Sequence, residues 1–169
     1  MRSKTKRMVI AALMAAIVCV VTMLIKIPTP MKGYINIGDA VVLLCGWLLS
    51  PGYGFLAAAI GSAAADVLSG YVSYAPATFF IKGAMALVAV LCYRYFRRRK
   101  KMKRFTSRII GGVFAEILMV SGYFAFEAML YGGAPSLVNI PMNVIQAVVG
   151  FIVGVILVKI FEKFNISLN

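Results

Sequence analysis

Long apolar runs separated by short polar stretches organise this chain from end to end. Runs near 8–26, 36–50, 54–70, 77–96, 108–130 and 139–161 reach or approach the roughly 20 residues with which a helix crosses a hydrocarbon core of about 30 Å. The pattern predicts an all-α integral membrane protein: one domain over 1–169, a six-transmembrane-helix bundle. The second and third runs are the shortest, and only Ser50-Pro51-Gly52-Tyr53-Gly54 divides them. That is a good turn, because Pro-Gly stops one helix and the glycines permit a reversal. Were this pair re-entrant instead, the later spans would keep their orientation, since removing two crossings leaves parity unchanged.

Polar residues inside these runs are few, and an ionisable group within a membrane is a functional candidate by default. At about 1.5 Å per helical residue, Asp66 lies roughly 18 Å along the third span, Lys82 roughly 6 Å below the outer surface, and Asn143 and Gln146 roughly 6 to 10 Å below it. Asp39 opens the second span on that same side, and Glu127 sits near the outer end of the fifth. Of the polar groups placed in this way, Glu116 alone falls in the inner half. Asn139, Asn143 and Gln146 recur at i, i+4 and i+7, which stacks three amides on one helix face. Such a face cannot point at lipid without leaving donors and acceptors unpaired. Asp66 and Lys82 can either contact a ligand or form an ion pair with each other, and the amides can bind a ligand or bond between helices. Tyr34, Tyr71, Tyr74, Phe79, Phe80, Tyr123, Phe124 and Tyr131 gather at the same end. Aromatic residues there form an interfacial belt or, with the amides, hold a flat polar heterocycle by stacking.

Composition agrees with a membrane solvent: 62% of residues are hydrophobic and mean hydropathy is +0.93. Eighteen basic residues face five acidic ones, a net +13 that would suit nucleic acid if the charges were spread over a soluble surface. They sit instead at the ends of apolar runs. The N-terminal Arg2, Lys4, Lys6 and Arg7, the block Arg97 to Arg104 with Arg108, and the tail with Lys159 and Lys163 all fall on one side of a six-span protein. Loops on the opposite side carry only Lys32. The positive-inside rule therefore puts both termini in the cytoplasm, against an anionic lipid surface and with no nucleic-acid partner. The basic start resembles a signal peptide, but the apolar stretch is long for one and no convincing cleavage site follows, so it is read as a retained span.

Cys19, Cys45 and Cys92 lie in separate runs, without the spacing of a metal or redox site, and histidine is absent. No phosphate-binding G-x-x-x-x-G-K-[ST], no G-x-S-x-G and no H-E-x-x-H occurs. No catalytic residue, metal or cofactor is assigned. A membrane-embedded enzyme or a structural membrane protein remains as the alternative class. Small residues four apart, Ala11 with Ala15 and Ala12 with Ala16 on the first span, let another helix backbone approach closely. Ala57, Gly61 and Ala65 form a similar line on the third, and Gly150 and Gly154 on the sixth.

Three stretches carry a resemblance: the first-span A-x-x-x-A pairs, Tyr34-Ile35-Asn36-Ile37-Gly38-Asp39-Ala40, and Ala63 to Gly70 followed by Ala75-Pro76-Ala77-Thr78-Phe79-Phe80-Ile81-Lys82-Gly83. With Asn139-Ile140-Pro141-Met142-Asn143-Val144-Ile145-Gln146 and the six-span pattern, the chain resembles the substrate-binding S component of an energy-coupling factor (ECF) vitamin transporter. The resemblance implies a multi-pass protein of the bacterial cytoplasmic membrane that captures a small water-soluble vitamin near the outer face. Asp39, Asp66, Phe79, Lys82, Asn139, Asn143 and Gln146 would bind it. It also implies docking of Ala11, Ala12, Ala15 and Ala16 on a transmembrane coupling protein driven by two ATPase subunits, and a gating loop from Ile27 to Ile35 containing Pro28, Pro30 and Tyr34. A pyridoxine or hydroxymethylpyrimidine type compound suits the amides with Lys82 and Asp66, and riboflavin is the runner-up.

Overall fold

The computed structural model describes residues 4–29, 33–99 and 101–163. Six helices of ten or more residues form the described structure, in the order α1 (Lys4–Leu24), α2 (Asp39–Leu48), α3 (Pro51–Leu68), α4 (Ala75–Arg98), α5 (Arg104–Tyr131) and, after a four-residue helix α6 (Gly133–Ser136) and a 3-10 turn (Leu137–Asn139), α7 (Ile140–Lys163). The expected run boundaries differ from these helices by four residues or fewer. One short element between α1 and α2 is not helical. Residues near Pro28 and Tyr34 form a small antiparallel hairpin, β1 (Lys26–Pro28) with β2 (Tyr34–Asn36), closed by Thr29 N–H donating to the Gly33 carbonyl at 2.9 Å. Proline fixes Pro28 in an extended conformation and denies it a helical hydrogen bond, so a strand suits it. The second run accordingly yields a helix of ten residues, because its first three residues lie in or just after the hairpin.

At about 15 Å, α2 is half the thickness of a hydrocarbon core. All ten of its residues are buried, and it packs on α1, α3, α4 and α7 rather than on lipid. A helix apolar on every side belongs in the middle of a bundle. Gly46 allows this: a Cβ there would lie 2.5 Å from the Ala86 carbonyl oxygen of α4. Gly61 of α3 likewise meets the Ala15 carbonyl of α1, so the small-residue line of α3 serves internal packing.

Among the described residues, four segments are long and apolar enough to cross a membrane by length and composition: α1, α4, α5 and the stretch from Gly133 to Lys163. Their outer faces are apolar, with Leu13 and Val20 of α1, Phe114 and Ile117 of α5, and Ile152 and Ile156 of α7 all exposed. Polar residues lie inside. Arg108 bonds Glu162, which brings the start of α5 and the end of α7 to one end of the bundle. The hairpin lies at the other end, where α1, α3 and α5 finish and α2, α4 and α7 begin.

Candidate functional site

Local structure delivers the polar groups to the hairpin end. α3 stops at Gly70, whose φ of +84° is a conformation glycine adopts without strain. Its N–H bonds the Val67 carbonyl and the next N–H, from Tyr71, bonds Asp66 O at 2.8 Å, a Schellman closure that caps the helix one turn beyond the Asp66 side chain. Tyr71 then packs against Tyr34 of the hairpin, ring centroids 4.5 Å apart. Tyr34 Oη donates to Asp66 Oδ1 at 2.6 Å, and Lys26 Nζ donates to Ser69 Oγ, so both hairpin strands are tied to α3. Burial, reinforced by the Asp66 carboxylate, pushes the Tyr34 phenol up from its ordinary value, which keeps it a donor.

Asp39 stands at the N-terminus of α2, where the helix dipole favours a carboxylate. Lys82 of α4 bonds one of its oxygens, and Gln146 Nε2 of α7 donates to the other at 2.8 Å. Gln146 Oε1 in turn accepts the backbone N–H of Asn36 at 2.8 Å. One chain of bonds thus links α4, α2, α7 and β2. A second network joins Tyr74 Oη and Asn139 Nδ2, which donate to Glu127 Oε1 at 3.3 and 2.8 Å. Thr78 Oγ1 and Tyr123 Oη lie 3.1 Å apart between the two networks.

Between them lies a small pocket of about 20 Å³, lined by Thr29, Gly33, Tyr34, Asn36, Asp66, Tyr74, Thr78, Tyr123, Glu127, Asn143 and Gln146. Among the described residues, four lining groups have a buried atom without a hydrogen-bond partner: Thr29 Oγ1, Asp66 Oδ2, Glu127 Oε2 and Asn143 Nδ2. Leaving such an atom unpaired costs about 1–3 kcal/mol. Four of the eleven such atoms among the described residues face this pocket, which makes it the candidate site for a ligand's donors and acceptors.

Of the residues singled out from sequence, Asp66, Asn143, Gln146 and Tyr34 line the pocket. Asp39 and Lys82 stand behind it as a buried pair, so the alternative of Asp66 pairing with Lys82 gives way to separate partners for each. Asn139 supports Glu127 instead of lining the pocket. Phe79 is turned away, its ring against Phe55 and Phe80. Pro28 is exposed and pairs with Tyr34 across the hairpin, and Pro30 lies outside the described residues. Among the seam alanines, Ala11 is buried and Ala15 half-buried toward α3, while Ala12 and Ala16 are exposed. Sequence reasoning passed over Glu127 although its depth was legible, and it did not single out Thr29, Asn36 or Thr78 although the gating loop and the resembling stretches contain them. No group of three or more His, Cys, Asp or Glu among the described residues could hold a metal ion.

Comparison with known proteins fits this architecture. A family model described as "ECF-type riboflavin transporter, S component" matches residues 2–163. The solved structure described as "Structure and mechanism of the S component of a bacterial ECF transporter" superposes with a TM-score of 0.72 at 22% identity, covering 98% of this chain and 100% of that one. A Pyrococcus woesei protein described as "Uncharacterized protein in gap 3'region" is 36% identical over 138 residues, 81% of this chain and 88% of its own length. The fold is that of a helical membrane bundle with a small polar pocket at one end. The chain belongs to the family of S components of ECF-type riboflavin transporters, a family of transporter subunits and not of enzymes.

Proposed function

We propose that this chain is the substrate-capture subunit of an ECF importer and that it holds a riboflavin-type flavin in the pocket beneath the hairpin. One observation carries the reading: four unpaired polar atoms, from the hairpin and three different helices, converge on a single small pocket. Two of the four are carboxylate oxygens, so the ligand supplies N–H or O–H groups to them, while the Asn143 amide donates to a ligand carbonyl or ring nitrogen. A flavin with a hydroxylated side chain has both. The preference for a smaller pyridine or pyrimidine rested partly on Lys82 facing the ligand, and Lys82 is engaged with Asp39. The family description favours riboflavin as the first compound to test.

The test is equilibrium titration of the purified protein with riboflavin, followed by quenching of its fluorescence, with pyridoxine and hydroxymethylpyrimidine in parallel by calorimetry. Saturable binding of riboflavin supports the reading. Tight binding of either smaller compound without riboflavin changes the vitamin. Failure of all three to bind or to raise thermal stability overturns capture at this pocket.

In this reading the six helices, α2 included, form one transmembrane domain in the cell membrane, with both termini in the cytoplasm and the hairpin outside. A cysteine placed at exposed Val138 is expected to react with an impermeant reagent added outside, and one at Lys103 only from inside. Docking on the coupling protein that the two ATPases drive falls to Ala12 and Ala16, which are free on the surface. Ala12→Trp with Ala16→Trp is expected to abolish co-purification with that module while riboflavin binding persists, because bulk there blocks close helix approach. Normal assembly of this variant would remove α1 from the docking surface.

A further inference from the structure

A second feature stands apart from the pocket. Midway along α5, Glu116 is 6% exposed, and among the described residues neither of its carboxyl oxygens has a hydrogen-bond partner. It lines a cleft of about 320 Å³ between α5 and α7 whose other walls are Val113, Ile117, Val120, Ser121, Val144, Ala147, Val148 and Phe151. The wall is apolar apart from Glu116 and Ser121, and the Ser121 hydroxyl already donates to the Ile117 carbonyl at 2.8 Å. Val113, Ile117, Val144 and Val148 are each 43–56% exposed, so the cleft opens sideways, on the bundle face that hydrocarbon covers. Gln146, which lines the pocket, contacts Met119 at 3.7 Å, and its chain neighbour Ala147 lines the cleft. Glu116 feels the charges of Asp39 and Lys82, but those two bond each other.

A carboxyl group in such surroundings needs an outside partner. An acyl chain would cover the walls and leave both oxygens unpaired. A fatty acid would bring a second acid and no cation to pair with either carboxyl. An alkyl ammonium satisfies both halves of the site, its N–H groups donating to the carboxylate and its chain covering the valines and Phe151. We propose that the α5/α7 cleft is a lateral binding site, entered from the membrane, for a lipophilic amine whose ammonium is held by Glu116. The proposal does not rest on the identity of the vitamin.

The experiment uses the full chain in lipid nanodiscs and the apolar reagent dicyclohexylcarbodiimide. A protonated carboxyl adds across one C=N bond of this reagent, its proton passing to nitrogen and its oxygen bonding carbon; the adduct rearranges to a stable N-acylurea. Peptide mass spectrometry is expected to find the adduct on Glu116. Dodecylamine at about nine times its dissociation constant is expected to slow labelling about tenfold, since mass action leaves about a tenth of the sites empty. Dodecanol and dodecanoate at equal membrane concentration are expected to leave the rate unchanged. Val148→Trp, which fills the cleft and keeps Glu116, is expected to lose both labelling and amine protection while remaining monodisperse. An unlabelled Glu116 in the wild-type protein overturns access from the membrane. Equal protection by dodecanol overturns recognition of charge, and protection only by the assembled coupling module shows that the cleft is filled by a partner helix and not by an amine.

Discussion

The pocket under the hairpin and the cleft between α5 and α7 both contain buried carboxyl groups, yet they treat them in opposite ways. At the pocket, Asp39, Asp66 and Glu127 are each bonded to at least one side chain from another element, and the unpaired atoms left over all face one space. In the cleft, Glu116 has no bonded neighbour among the described residues. The difference teaches that burial alone does not single out a candidate binding pocket in a membrane bundle. The hairpin-end pocket differs from the cleft in a network that holds several groups in place while leaving one oxygen each of Asp66 and Glu127 unused.

Breaking the network at its most buried link is expected to have the largest effect. Lys82 and Asp39 are 3% and 0% exposed, and Lys82→Met would strand the carboxylate at a cost of about 3–5 kcal/mol. A marked fall in the thermal unfolding midpoint is expected, recovered in large part by adding Asp39→Asn, which removes the stranded charge. A Lys82→Met protein of unchanged stability that merely lost affinity would make Lys82 a ligand contact after all.

The unused bonding directions are tested next. Glu127→Gln places an amide N–H where Oε2 now offers an acceptor, and Asn143→Ala deletes an unpaired donor. Each is expected to weaken riboflavin binding by about tenfold or more, as an unmatched buried group costs about 1–3 kcal/mol. Titration of each purified variant measures this, and unchanged affinity in both would separate the pocket from the ligand.

A smaller effect is expected at the cover. Tyr34→Phe removes the bond to Asp66 but keeps the ring against Tyr71, and a loss of about 1 kcal/mol, roughly fivefold in affinity, is expected. Faster dissociation with an unchanged association rate would show the hairpin acting as a latch. The smallest effect belongs to the cleft. Glu116→Gln is expected to leave riboflavin affinity within about twofold, because no contact of the pocket is altered. Loss of binding in that variant would join the two regions into one site.

Much of this arrangement is legible in the chain itself. Run length and the one-sided basic clusters specify a helical membrane protein, because hydrocarbon thickness and lipid charge act on composition and spacing, which a sequence displays directly. Depth along a helix is equally legible, so Asp66, Asn143 and Gln146 could be assigned to one end before any contact was known. The rotation of each helix and the choice among partners at equal depth are not. Asp39, and not Asp66, takes Lys82; Phe79 faces Phe55, and Tyr123 reaches the pocket; Ala11 turns inward, and Ala12 outward. Glycine contacts such as Gly46 on Ala86 and Gly61 on Ala15 set how closely and at what angle the helices meet. Those angles depend on residues distant in sequence, so the partner of each polar group was decided only by tertiary packing.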